Sequence, residues 1–131
     1  MPDSAHQLDA ATRQILLQHV RTFEDLEMLL LLARDARRFW SAAAAASELG
    51  LAEAAAQTAL DSLASHNFLE VRFGEDVLYR LDPNSPRTAA AVQRILDAAR
   101  RHRTAVLSAI AGAGRAVGDF ADAFRIKKRT R

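Results

Sequence analysis

The chain has 131 residues, 50% apolar and 26% charged, which is the balance of one ordinary globular domain. It contains no cysteine, so disulfides and thiolate metal centres are excluded. The formal charge of +2 is unevenly spread: of 18 basic residues, five lie in the final stretch RIKKRTR, leaving 13 against 16 acids, a net of −3.

The opening MPDSAHQLD carries acid and no apolar core, so no secretory signal is expected. Met28 to Ala33 is too short an apolar run to span a bilayer, and a cytoplasmic setting is expected. Asp3 or Ser4 is positioned to cap a first helix carrying Leu8, Ala11, Ile15, Leu16, His19 and Val20 at helical spacing. Thr22 restarts the helix, with Asp25 three residues on in a variant of the capping box. The segment FEDLEMLLLLARDA is apolar nearly all round at its centre, the mark of a helix buried on several sides. Its cationic end, Arg34, Arg37 and Arg38, suits the negative end of the helix dipole.

Ser41 caps a short helix through Leu49, and Gly50 supplies the break. A third helix is predicted from about Ala52 to His66, with Leu49, Ala55, Ala59, Leu60 and Leu63 on the packing face. Two helices joined by a tight glycine turn make a helix-turn-helix. The pattern then alternates with period two: Leu69, Val71 and Phe73, then Val77, Tyr79 and Leu81 across Gly74-Glu75-Asp76. That register sets Glu70 opposite Arg80. Pro83 and Pro86 end the hairpin, and Ser85 caps the next helix.

That helix places Val92, Ile95, Leu96, Ala99, Val106, Leu107 and Ile110 three and four apart. At about 25 residues it is roughly 37 Å long. A stripe of that length on so small a domain predicts contact with a second copy through Ile15, Val92, Ile95, Ala99, Val106 and Ile110. The cluster Arg100 to Arg103 would bracket that interface, and Gly112 and Gly114 interrupt the helix. A last segment aligns Val117, Phe120, Ala121 and Phe124 before the basic tail. The expected architecture is mainly α with a small β-hairpin, in a single domain over 1–124. Residues 22–83 form its core, 4–21 and 86–111 its flanking helices, and 125–131 a disordered basic tail.

The order helix, short helix, glycine turn, helix, hairpin, long helix resembles the winged helix-turn-helix regulators of bacteria, in the layout of the MarR-type and ArsR-type repressors. The stretches LEMLLLLARD, FWSAAAAASELGL, TALDSLASHNFLEVR and VLYRLDP carry the resemblance, which spans about Phe23 to Ile110. Small stand-alone winged-helix proteins are similar too. The resemblance implies a dimeric transcriptional regulator whose third helix enters the major groove. Glu53, Ala54, Ala56, Gln57 and Asp61 would take the base-reading positions, and Gly74, Glu75 and Asp76 the wing tip.

From Phe39 to Val71 there is no Lys or Arg. Phosphate neutralisation supplies most non-specific affinity for DNA, and here Glu53, Asp61, Glu75 and Asp76 bring the wrong sign. Gln57 has the chemistry to pair with adenine. The cations left for DNA are Arg34, Arg37, Arg38, Arg72, Arg80 and Arg87, with Lys127, Lys128 and Arg129 of the tail, each with solvated surface as its plainer role. Two functions from different classes follow. One is a dimeric regulator that contacts DNA weakly through these cations. The other is a protein-interaction module whose Glu53, Gln57, Asp61, Glu75 and Asp76 face a basic partner.

No enzyme is expected, because no nucleophile elbow or phosphate loop frames the Ser, His and Asp present. His6, His19, His66 and His102 lack metal-ligand spacing, and no cofactor is expected. Trp40 and Tyr79 are expected in the core, and AVGDFADAF with the tail as packing rather than as a membrane anchor.

Overall fold

The computed structural model describes residues 8–82 and 84–113. Among them the fold is mainly helical, with one antiparallel two-stranded sheet. Helix α1 spans Ala10–His19 and α2 spans Phe23–Arg34. Helices α3 (Ala42–Leu49) and α4 (Glu53–Ser65) follow, then β1 (Leu69–Arg72), β2 (Leu78–Leu81) and α5 (Pro86–Arg101). Residues 103–113 are helical again and form α6.

The caps explain where the helices begin. Asp9 caps α1, accepting a hydrogen bond from the Thr12 N–H at 2.7 Å. Hydrogen bonding by Thr12, helped by the positive charges of Arg94 and His102, holds the Asp9 carboxyl below its ordinary value. Asp3 and Ser4 lie outside the described residues, as does Pro83. Thr22 caps α2 by accepting from the Asp25 N–H at 3.0 Å. The Asp25 carboxylate reaches back to accept from the Arg21 N–H at 3.1 Å, one residue earlier than in the usual capping box. Ser41 and Ser85 cap α3 and α5 in the same way, and Pro86 fills the first turn of α5.

Gly50 ends α3 in the left-handed region, with φ of 69°, and its N–H donates to the Ala46 carbonyl. The chain can therefore turn straight into α4, and the buried alanines Ala45, Ala46, Ala56 and Ala59 let the two helices close on each other. Helix α2 lies at the centre: Leu26, Met28, Leu29, Leu31 and Leu32 are all buried, so more than one side of it is covered. It packs on α3, α4 and β2. Asn67, also left-handed with φ of 64°, turns the chain out of α4 into β1.

Leu69 pairs with Leu81, Glu70 with Arg80, Val71 with Tyr79 and Arg72 with Leu78. The Trp40 N–H donates to the Tyr79 carbonyl and the Tyr79 N–H to the Trp40 carbonyl, both at 2.8 Å. Trp40 thus adds one residue of pairing to β2. The strands are shorter than the alternation predicts. Phe73 and Val77 lie beyond the ladder and are exposed, because the core they would pack on ends at Val71 and Tyr79.

The expected single helix is divided at His102, whose backbone (φ −133°, ψ 48°) leaves the helical region. Its N–H still donates to the Ala98 carbonyl and its carbonyl accepts from Val106, so one residue makes the break. A straight rod of roughly 37 Å would overrun so small a core. Two shorter helices lie on it instead. Gly112 sits within α6 and does not interrupt it.

This division removes the premise of the expected dimer surface. Val92, Ile95, Ala99, Val106 and Ile110 are all buried within the single chain, and Ile15 is half-buried against the same core. Helix α1 packs along α5 and takes up part of the stripe. Arg100, Arg101 and Arg103 are exposed on either side of the break. Gly114, Val117, Phe120, Ala121, Phe124 and the tail lie outside the described residues. No helix of the described residues is long and apolar enough to cross a membrane.

Candidate nucleic-acid interface

Trp40 and Tyr79 pair on the inner face of the hairpin and are buried. Alternation therefore puts Phe39 on the outer face, together with Glu70, Arg72, Leu78 and Arg80. There the Arg72 guanidinium lies 4.1 Å from the centre of the Phe39 ring, and that of Arg80 4.5 Å. The Arg38 guanidinium covers the Trp40 ring at 3.6 Å. Three arginines from two distant parts of the chain are thus laid on two adjacent aromatic rings.

Their freedom differs. Arg80 is tied down: its Nε donates to Glu70 Oε2 at 3.1 Å, and its Nη1 to the Arg37 carbonyl at 3.3 Å. Glu70 offsets its charge, so Arg80 serves mainly as a brace between the hairpin and the turn before α3. Arg37, Arg38 and Arg72 are exposed. Arg72 and Arg38 keep their charge toward solvent while the ring beneath limits their rotation, which lowers the entropy lost on binding an anion.

The outward face of α4 is different. Glu53, Ala54, Thr58 and Asp61 are exposed, and no cation stands among them. Gln57 is only half-exposed. Its amide donates to Asp61 Oδ1 at 2.9 Å and to the Tyr79 hydroxyl at 2.8 Å, so both of its hydrogens are used to hold the hairpin to α4. The adenine contact expected of Gln57 would have to break both. Ala56, also expected to face a base, is fully buried against α3 and the core. Of the expected packing face, Ala59, Leu60 and Leu63 are buried, while Leu49 and Ala55 are half-buried. Glu75 and Asp76 are exposed at the tip of the hairpin. Lys127, Lys128 and Arg129 lie outside the described residues.

The structure therefore brings Arg37, Arg38, Arg72 and Arg80 onto one corner and leaves Glu53 and Asp61 on another surface. Sequence reasoning missed Phe39 as a member of the first group. The adjacent letters RRFW at Arg37 to Trp40 held the signal, since two cations beside two aromatics invite stacking.

A second cluster joins α1 to the end of α4. The His19 ring stacks on Phe68 at 4.3 Å between centroids and meets His66 edge-on at 5.4 Å. His66 Nδ1 lies 2.9 Å from the Ser62 carbonyl, whereas His19 Nδ1 is buried with no protein partner. Burial first, and the neighbouring His66 second, push the His19 pKa below its ordinary 6.5. The unfolded chain then binds more protons than the folded one just below that value. Stability is accordingly expected to fall as pH drops from 6.5 toward the lowered value, and to level off beneath it. Urea titrations at stepped pH check this: His19→Phe should flatten the dependence in that window, and an unchanged slope would contradict the assignment.

Among the described residues no group of three or more His, Asp or Glu side chains is arranged to hold a metal ion. No family model, no curated protein and no solved structure matches the chain.

Proposed function

We propose that this protein is a winged helix-turn-helix regulator acting in the cytoplasm, and that it contacts duplex DNA through the outer face of its hairpin and the Arg37–Arg38 corner. The order of α2, α3, the Gly50 turn, α4 and the hairpin supports the winged-helix reading, as does the one-residue third strand at Trp40. The observation that carries the DNA contact is the set of guanidiniums lying on Phe39 and Trp40, with Arg37, Arg38 and Arg72 open to solvent. Helix α4 plays a lesser part, because its outward face offers phosphates no cation. The reading does not depend on a dimer built on α5.

Binding to a mixed-sequence duplex as a function of salt tests this. Log affinity should fall with log salt, and the slope should persist when Lys127, Lys128 and Arg129 are each changed to Gln. Arg37→Gln and Arg72→Gln should each reduce the slope by about 0.9, the value of one phosphate contact. A slope that disappears with the tail charges, or no binding at low salt, would overturn the proposal.

One observation favours a second reading. Glu53 and Asp61 are exposed on a helix face without cations, and Glu75 and Asp76 repeat that sign at the hairpin tip. A module that meets a basic protein would present such a face. In that case Glu53→Gln with Asp61→Asn would abolish the protein complex and leave DNA affinity unchanged.

A further inference from the structure

Phe73 is 80% exposed, the most exposed large apolar side chain among the described residues, and Val77 across the loop is also exposed. Phe73 continues the inward alternation of Leu69 and Val71 but overhangs the end of the core. Leaving such a ring in water forgoes the free energy of burying it, and no packing among the described residues recovers it. Immediately before it stands Arg72, whose guanidinium already lies on Phe39.

The hairpin end and the corner beside it thus combine an open aromatic ring, an aromatic ring under guanidinium planes and exposed cations at Arg37 and Arg38. A stacked duplex offers backbone to such a surface but keeps its base faces covered. An unpaired strand offers both phosphates and bare base faces, and base-on-aromatic stacking requires no particular sequence. Glu75 and Asp76 at the tip repel phosphates and also oppose insertion into a lipid surface.

We infer that this corner takes single-stranded nucleic acid, with an unpaired base stacked on Phe73 and phosphates met by Arg72, Arg37 and Arg38. The inference shares with the duplex reading only the assignment of this corner to nucleic acid, and on that it rests.

Fluorescence anisotropy with the full chain tests it. The probes are a labelled oligothymidylate of about 12 nucleotides, within the range of about 4–16 for one such site, its abasic counterpart, and a duplex of equal length. The thymidylate should bind about tenfold more tightly than the abasic strand, and Phe73→Ala should remove that advantage while leaving duplex affinity unchanged. Among the described residues Phe73 packs on no core, so the variant should keep the thermal midpoint of the parent chain. Phe73→Trp should restore binding, with its emission quenched on stacking. Equal affinity for abasic and thymidylate strands would overturn the inference, as would an unaffected Phe73→Ala, or displacement of both strands alike by polyglutamate. Duplex binding without a base-dependent strand complex would sink this inference alone. A base-dependent strand complex without duplex binding would sink the duplex regulator alone.

Discussion

Replacing Asp25 with alanine is expected to destabilise the fold by about 3 kcal/mol, with loss of both the start of α2 and its attachment to α4. Asp25 is only 3% exposed. Its carboxylate accepts from the Arg21 N–H and from the Ser62 hydroxyl, the latter at 3.2 Å, so one side chain secures the start of one helix and grips another. Hydrogen bonds to a charged group contribute about 1.5–3 kcal/mol each, and a carboxylate in the first turn adds about 0.3–1 kcal/mol against the helix dipole. These contributions share one group and do not simply add. Alanine also strands two donors that the carboxylate now satisfies. Asp25→Asn keeps an acceptor and the volume, and should cost about half as much. Urea denaturation reads both: the midpoint should fall at an unchanged slope. A loss below about 1 kcal/mol for the alanine variant would show that water replaces the carboxylate without penalty.

A comparable loss is expected at Ile95, and its form matters as much as its size. Ile95 is fully buried on α5 within one chain. Truncation to alanine should cost about 3 kcal/mol, within the usual range of about 2–5 for a buried aliphatic side chain. In thermal terms this lowers the midpoint by on the order of 10 °C. A residue spent in its own core loses that stability regardless of how much protein is present. At a subunit interface the loss would instead vary with protein concentration by mass action. Melts of Ile95→Ala and the parent chain over a wide concentration range separate the two. A difference that grows with dilution would return α5 to an interface between copies.

Local chemistry made much of the fold legible. Thr22, Ser41 and Ser85 cap the helices expected of them, and Gly50 takes the left-handed turn that frees α4 to start. The alternation from Leu69 to Leu81 fixed the register so closely that Glu70 and Arg80 meet as an ion pair at 3.1 Å. The division at His102 was not legible, because RRHR contains neither glycine nor proline and the helical spacing of apolar residues continues through it. The break rests on the backbone of one residue, His102, which no local pattern singles out. Arg100 and Arg101 in the last turn of α5 are consistent with a helix end, but they suit an exposed helix face equally.

The candidate site divides along the same line. Arg37, Arg38, Arg72 and Arg80 stood out as the cations near the hairpin, which follows from charge and position alone. That Phe39 lies beneath two of them depends on Trp40 pairing with Tyr79, a contact between residues on either side of α3, α4 and β1. No local pattern announces it. Gln57 shows the converse. Its chemistry suited a base, and tertiary structure gave both its hydrogens to Asp61 and Tyr79 instead.

The pairing at Trp40 also governs how the sheet meets other chains. It caps β2 at Tyr79, on the side away from β1. Among the described residues the opposite edge, that of β1, is four residues long and carries Glu70 and Arg72. Short, charged edges are poor templates for strand addition, because a newcomer would gain few ladder bonds while burying charge. The exposed Phe73 therefore sits beside a sheet that resists growing into a fibril. An unsatisfied aromatic can be kept at the surface there without making the hairpin a seed for aggregation.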